Sequence, residues 1–323
     1  MVASLAAVSI LWLAAGTSAA AAAPKLTQVG AKQRGLHAVI VVAGPDGAAY
    51  VQGTIDGQCC GPKIWVFSAS GSLVRTFAIP SEFQAAAFGN GQLYLIVPGV
   101  TNGRVIGVNP TTGAIVSQVG TQTTNYSGEV GNPDGLAIGA DGTIYESGGF
   151  LTITDPTDPD STAMIEPVQE FNPMGTFTGY LGSSLGLNVP ELSVTSVNAA
   201  GDLLGSYDAN GTGFVGVYSP QGALLDHFKS FPPGPQYQDY VFSPDGGSIY
   251  ATVELDRSGA SGAATTAVEK LSLSGTVLSR FATVSAGSFI TTPNDYGEIS
   301  VAPNGVGWTT RSLHGQLYRF KVV

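Results

Sequence analysis

A chain of 323 residues with 44 glycines and only 11% charged residues suits short strands and tight turns better than helices. Its 13 Lys and Arg against 23 Asp and Glu leave a net charge of −10, which argues against nucleic acid and anionic membranes as partners. About 300 residues can bury roughly three quarters of the surface of their unfolded chain, so a large core is within reach.

The chain opens on an apolar stretch. Leu5–Ala15 (LAAVSILWLAA) has the length of a signal h-region and is too short to span a bilayer. Small residues follow, and Ala-x-Ala cleavage fits after Ala19 or Ala21. Residues 1–22 are therefore expected to be a signal peptide and 23–323 the mature, extracytoplasmic domain. No Lys or Arg precedes Lys25, so the n-region lacks its positive charge, which an upstream start or a weak signal would explain. No cysteine sits near the cleavage region, so no lipid anchor is indicated.

The mature region repeats one hairpin. Leu136–Glu146 (LAIGADGTIYE) is two apolar runs joined by an Asp-Gly turn, in which Gly142 can take a positive φ that a Cβ would resist. Further copies are Val41–Val51, Ala85–Leu95, Thr195–Gly205, Tyr240–Ala251 and Ile299–Thr309. Their turn glycines, Gly47, Gly91, Gly142, Gly201, Gly246 and Gly305, are 44 to 59 residues apart. A second alternating hairpin follows each of the first five: Lys63–Phe77, Arg104–Val119, Pro167–Leu181, Phe214–Phe228 and Ala267–Phe281.

Four strands per unit at this spacing predict an all-β, six-bladed β-propeller. The expected blades are approximately 36–80, 81–121, 132–183, 191–230, 237–283, and 295–323 plus 25–30. Five residues before each turn glycine stand Val42, Ala86, Ala137, Ser196, Val241 and Ser300, all small enough for strands crowding a central axis. The sixth unit lacks a fourth strand, and KLTQVG (Lys25–Gly30) resembles the fourth strand IVSQVG (Ile115–Gly120). The N-terminal strand is expected to complete the last blade, covering an edge that would otherwise template aggregation.

Cys59 and Cys60 are adjacent. Neighbouring Cα atoms lie about 3.8 Å apart, shorter than the usual disulfide span of about 4.4–6.8 Å. A bond between them would close a strained vicinal ring. Two free thiols, a rigidified loop and a redox role all stay open.

The stretches PDGLAIGADGTIY (Pro133–Tyr145) and VQEFNPMGTFTGYLG (Val168–Gly182) resemble the NHL-repeat unit and the blades of the gluconolactonase and senescence-marker-protein family. The resemblance spans residues 25–323 and implies a six-bladed propeller, a fold that hosts lactonases, lyases, sensors and binding proteins. It implies that ligands are met on the face carrying the loops that lead into the inner strands and those joining second to third strands. The residues there are His37, Glu82, Gln84, Asn132, Asp134, Glu191, Asp239, Asn294, Asp295 and Glu298, with GQCCGP (Gly57–Pro62) and TDPTDPDST (Thr154–Thr162) as rim loops. Gluconolactonase-like enzymes hold a divalent cation with a Glu, two Asn and an Asp. Asp134 matches that Asp, and Asn294 resembles one Asn at a different spacing, while the Glu and the second Asn have no counterpart here. Asp134, Asp239 and Asn294 are the resulting metal candidates, an oxygen donor set suited to Ca²⁺ or Mg²⁺. The competing role for Asp134 is to satisfy backbone donors in its own turn.

Other signals are weaker. Gly182–Gly186 matches G-x-S-x-G but lacks the following helix that a nucleophile elbow needs. Asp155, Asp158 and Asp160 miss the EF-hand spacing and read as a Pro-stiffened loop. His227 reads as a solvated outer-strand residue, whereas His37 and His314 could meet at the rim and act near neutral pH. Trp65 and the blade tyrosines read as packing between blades. Asn125 and Asn210 begin glycosylation sequons. The expected function is a secreted, NHL-like, monomeric binding or recognition scaffold for a small molecule or protein at the channel mouth. The alternative is a metal-dependent lactonase-like hydrolase or lyase using channel-mouth carboxylates.

Overall fold

The computed structural model describes residues 26–29, 36–55, 63–97, 104–120, 134–148, 151–155, 158–165, 167–182, 192–230, 236–255, 265–281, 284–285, 298–311 and 316–322. They form strands and turns, with no helix among them. Period-two alternation drives the strands: in β4 (Lys63–Phe67), Ile64 and Val66 are buried while Lys63 is exposed.

Blade 1 is β2 (Leu36–Ala43), β3 (Ala49–Ile55), β4 and β5 (Leu73–Ala78), paired in that order. Blade 2 is β6 (Ala85–Gly89), β7 (Gln92–Val97), β8 (Arg104–Val108) and β9 (Ile115–Val119). Blade 3 is β10 (Gly135–Ile138), β11 (Ile144–Ser147), β14 (Gln169–Phe171) and β15 (Phe177–Tyr180). Blade 4 is β16 (Ser193–Val197), β17 (Leu203–Ala209), β18 (Thr212–Tyr218) and β19 (Leu224–Lys229). Blade 5 is β20 (Gln236–Phe242), β21 (Ile249–Glu254), β22 (Thr265–Leu271) and β23 (Val277–Arg280), with β24 (Val284–Ser285) added beside β22. Blade 6 is β25 (Ile299–Val301), β26 (Val306–Arg311) and β27 (Gln316–Lys321), completed by β1 (Thr27–Val29).

Each innermost strand touches the innermost strands of the blades before and after it, and β25 touches β2, so the six sheets close a ring. The molecule is a six-bladed β-propeller. β1 pairs with β27 through Thr27–Arg319, Gln28–Tyr318 and Val29–Leu317, which is the closure the sequence led us to expect. Residues 1–22, the expected signal peptide, lie outside the described residues.

One expectation needs correcting. The acidic run at Thr154–Thr162 is part of a two-stranded hairpin, β12 (Leu151–Asp155) with β13 (Asp158–Ile165), rather than an unpaired loop. The β-branched alternation of Leu151-Thr-Ile-Thr opposite Thr162-Ala-Met-Ile supplies the strand propensity that Pro156 and Pro159 were expected to defeat. This hairpin leaves blade 3 between its second and third strands.

The core is six clusters, one at each blade interface. Ile64, Val66 and Phe77 of blade 1 meet Leu93, Leu95 and Ile106 of blade 2, and Trp308 and Leu317 of blade 6 meet Val41, Val51 and Phe67 of blade 1. The blade aromatics Tyr50, Tyr94, Tyr145 and Trp308 are all buried, as packing between blades requires. Trp65 is half-buried against the cluster between blades 6 and 1.

Every interface also carries a side-chain-to-backbone hydrogen bond. Gln52 Oε1 accepts from Phe83 N (3.0 Å), and Asn90 Nδ2 donates to Gly142 O (3.0 Å). Ser147 Oγ accepts from Val194 N (3.0 Å), and Ser196 Oγ from Phe242 N (3.3 Å). Asp239 Oδ2 accepts from Ile299 N (2.7 Å), and Ser300 Oγ from Ala43 N (2.9 Å). Five of these bonds satisfy N–H groups of inner strands and of the segments leading into them, and the Asn90 bond satisfies a turn carbonyl of the next blade.

Candidate binding site at the channel mouth

The inner strands surround an axial cavity of about 370 Å³. All six small residues read from the repeat line it: Val42, Ala86, Ala137, Ser196, Val241 and Ser300. At the end where the chain enters the inner strands stand Gln84, Asp134, Asp239 and Glu298, from blades 2, 3, 5 and 6. No Lys, Arg or His lines the cavity among the described residues.

Gln84, Asp239 and Glu298 sit seven residues before their turn glycines, and Asp134 sits eight before its own. Gly135 takes the seventh place in blade 3 because a Cβ there would lie 2.3 Å from Ser147 Oγ and 2.6 Å from Val194 N and O. Ser147 fills that space. Its hydroxyl donates to Asp134 Oδ1 (3.1 Å) while accepting from Val194 N, so it ties the acid to the next blade.

The same place on the second strand carries Thr252 in blade 5 and Thr310 in blade 6. Thr252 Oγ1 accepts from Asp239 N (3.2 Å). Thr310 Oγ1 accepts from Glu298 N (3.0 Å) and donates to Val39 O of blade 1 (3.2 Å). A hydroxyl thus positions the backbone or side chain of each mouth acid. The sequence carried this signal as Ser or Thr five residues past the turn glycine, or six in the lengthened fifth turn.

The three acids differ in what their oxygens do. Asp239 Oδ1 accepts from Tyr240 N (2.8 Å) and Oδ2 from Ile299 N, so both oxygens are engaged. Asp134 has one oxygen on the Ser147 hydroxyl, and its own backbone N–H and Ser193 also favour its charged form. The Glu298 carboxyl has no hydrogen-bond partner among the described residues.

Asp134 is exposed, whereas Asp239 and Glu298 are half-buried. Burial pushes the Asp134 carboxyl up, against the pull of the Ser147 hydroxyl. Burial also raises Asp239, opposed by the N–H groups of Ile299 and Tyr240. Glu298 is raised first by burial and then by the charge of Asp239. Two like charges in one low-dielectric site disfavour each other, so this pair resists full ionisation.

Behind the mouth lies Glu146, which the sequence reading passed over. It is fully buried on the face of β11 that packs against blade 2, beside Ile144 and opposite Leu136. Its Oε2 accepts from Gln169 Nε2 (3.1 Å), and its Oε1 has no partner among the described residues. Burial, and then the charge of Asp134, pushes this carboxyl up to about 8.

Of the other candidates, Glu82 is exposed and does not line the cavity. His37 lies on β2 opposite Thr54, and its side chain is outside the described set. His227 is exposed on β19 with its ring edge-on to Phe214, as an outer-strand residue would be. Asn132, Glu191, Asn294, Asp295, His314, Cys59 and Cys60 lie outside the described residues.

Among the described residues no three of His, Cys, Asp and Glu come close enough to hold a metal ion. Each Asp239 oxygen already takes one backbone N–H, which leaves it a single lone pair for a cation. The described residues alone therefore do not form a divalent-cation cage.

No protein-family model and no curated protein matches the chain. Solved structures do. A gluconolactonase from Xanthomonas campestris aligns with a TM-score of 0.52 and 13% identity, over 93% of this chain and 95% of that one. A putative oxidoreductase (glucose dehydrogenase) from Thermus thermophilus aligns at 0.53 and 16%, over 92% and 99%. The Cps50 (Swd1) β-propeller domain of Myceliophteria thermophila aligns at 0.54 and 10%, over 92% and 99%. At these identities the likeness is one of fold.

Proposed function

We propose that this propeller is an NHL-like binding module, exported as residues 23–323 and acting as a monomer, that takes a small ligand at its channel mouth. One observation carries the reading: Gln84, Asp134, Asp239 and Glu298, from four different blades, converge on one cavity that no described basic side chain lines. Polar groups converging on a concave site are the usual signature of a ligand pocket. The six-clamp ring around it gives a rigid frame, which lowers the ordering cost of binding.

The alternative, a metal-dependent hydrolase or lyase of the lactonase type, draws on Asp134 and Asp239 lining the same cavity as the gluconolactonase-like fold would lead one to look for. It needs further ligands, Asn294 among them, to complete the cation's shell.

Thermal-shift screening of small polar molecules, followed by calorimetry of the hits, tests the first reading. Hits should lose at least tenfold in affinity in Glu298→Gln and Gln84→Ala. Hits that bind both variants as well as the parent would move the site elsewhere. Stoichiometric Ca²⁺ or Mg²⁺ in the purified protein, lost in Asp134→Asn, would favour the alternative.

A further inference from the structure

The cavity changes character along the axis. Its mouth is acidic, but two residues further along the inner strands the lining side chains are small and mostly apolar: Val42, Ala86, Ala137 and Val241. The two serines at that level, Ser196 and Ser300, accept N–H groups of the next blades. Their oxygens are committed to the ring.

At the mouth the situation is reversed. The Glu298 carboxyl lines the cavity, stands beside Asp239, and has no hydrogen-bond partner among the described residues. Glu298 is half-buried, so its carboxyl faces the channel with its acceptor capacity free for a donor that arrives from solution. Asp134 has one oxygen on Ser147, and Gln84 adds an amide to the same rim.

Resting on the binding reading above, we infer that the ligand is an organic monocation: a primary ammonium group at the acidic mouth, carried on a short apolar stem that enters the channel. An ammonium has three donors and no acceptor, which matches a rim rich in acceptors. Its charge removes the repulsion between Glu298 and Asp239, which a neutral alcohol would leave in place. A carboxylate or phosphate ligand would add to that repulsion. A bare divalent cation needs about six or more oxygen ligands, whereas among the described residues no three His, Cys, Asp or Glu side chains come together to hold one, and it would leave the apolar stretch unused.

Calorimetry at pH 7 with n-hexylammonium, ammonium, hexan-1-ol, hexanoate and Ca²⁺ tests this on the mature protein. We expect n-hexylammonium to bind at least tenfold more tightly than ammonium and than hexan-1-ol, and hexanoate not to bind. Glu298→Gln should weaken n-hexylammonium tenfold or more with a melting temperature no lower than the parent's, since no described residue bonds that carboxyl and the amide relieves the repulsion from Asp239. Ala86→Val, which narrows the channel, should weaken n-hexylammonium while sparing ammonium. If Ala86→Val lowers the melt, the Glu298→Gln comparison still decides. Equal binding of n-hexylammonium and hexan-1-ol, or any preference for hexanoate or Ca²⁺, overturns the cationic assignment while leaving the mouth as a site. No binding by any probe, together with screening hits that ignore Glu298→Gln, overturns both.

Discussion

Glu146 offers a direct test of how burial sets the pH dependence of this fold. Its carboxyl is fully buried between blades 2 and 3, with one oxygen on Gln169 and the other unpartnered among the described residues. Its folded value of about 8 stands above an unfolded value of 4.5. Below pH 4.5 both states hold the proton, and the group costs nothing extra. Between pH 4.5 and 8 the unfolded chain releases the proton while the folded chain retains it. Stability therefore falls as pH rises, by about 1.4 kcal/mol per unit, to an upper bound of about 5 kcal/mol.

Glu146→Gln removes the titration and keeps the shape. Its amide oxygen can still accept from Gln169, and its NH₂ lies where the O–H of the protonated acid otherwise stands, equally without a partner among the described residues. The variant should match the parent within about 1 kcal/mol at pH 4.5 and be more stable at pH 8, the gap widening as pH rises between them. Urea unfolding from pH 4.5 to 8.5 reads this directly. Asp134, Asp239 and Glu298, also raised, tilt both curves alike, so their difference isolates Glu146. Parallel curves would refute the reasoning, because they would mean the folded protein ionises Glu146 as readily as the unfolded chain does.

Deleting residues 24–31 removes β1 together with its buried Val29 and uncovers the edge of β27. It should cost at least the about 1.5–3 kcal/mol of that one side chain, and an unchanged urea midpoint would contradict ring closure by this strand. Gly135→Ala drives a Cβ into Ser147 Oγ and the Val194 backbone, so a loss of about 1–3 kcal/mol is expected; wild-type stability would show that the mouth yields easily. Ser196→Ala and Ser300→Ala each remove one interblade acceptor and should each cost about 1 kcal/mol. Because they share no partner, the double variant should be additive within about 0.5 kcal/mol, and a larger deviation would mean that strain passes around the ring.

The architecture was legible because its signals are local and repeated. An Asp-Gly turn, an aromatic three residues on and a small residue five before it report packing demands that every blade must meet. The likeness of KLTQVG to IVSQVG exposed the closure for the same reason. The clamps between blades were not legible as such. Ser196 and Ser300 read only as small, because their partners, Phe242 N and Ala43 N, lie 46 and 257 residues away. Glu146 was missed because a charged residue on an alternating strand is expected to face solvent, and only the register of β10, β11 and β14 turns it into the interface. The β12–β13 hairpin was hidden by its prolines, which argue for a loop until the pairing of Thr154 with Thr162 is seen.

Asp239 and Glu298 occupy the same place in neighbouring blades, seven residues before the turn glycine, yet the fold uses them differently. Asp239 is short enough for both oxygens to fold back onto Tyr240 N and Ile299 N, so its acid does the work that serine does at other interfaces. Charge-assisted bonds of that kind offset part of the cost of burying it. Glu298 is one methylene longer. Thr310 holds its backbone at both N–H and C=O, but none of the described residues takes its carboxyl. Replacing that carboxyl with an amide would relieve the repulsion from Asp239 and forfeit no hydrogen bond, so the fold by itself gives no account of an acid there. A cation arriving from solution does, because it turns an acid that no described residue compensates into an attraction.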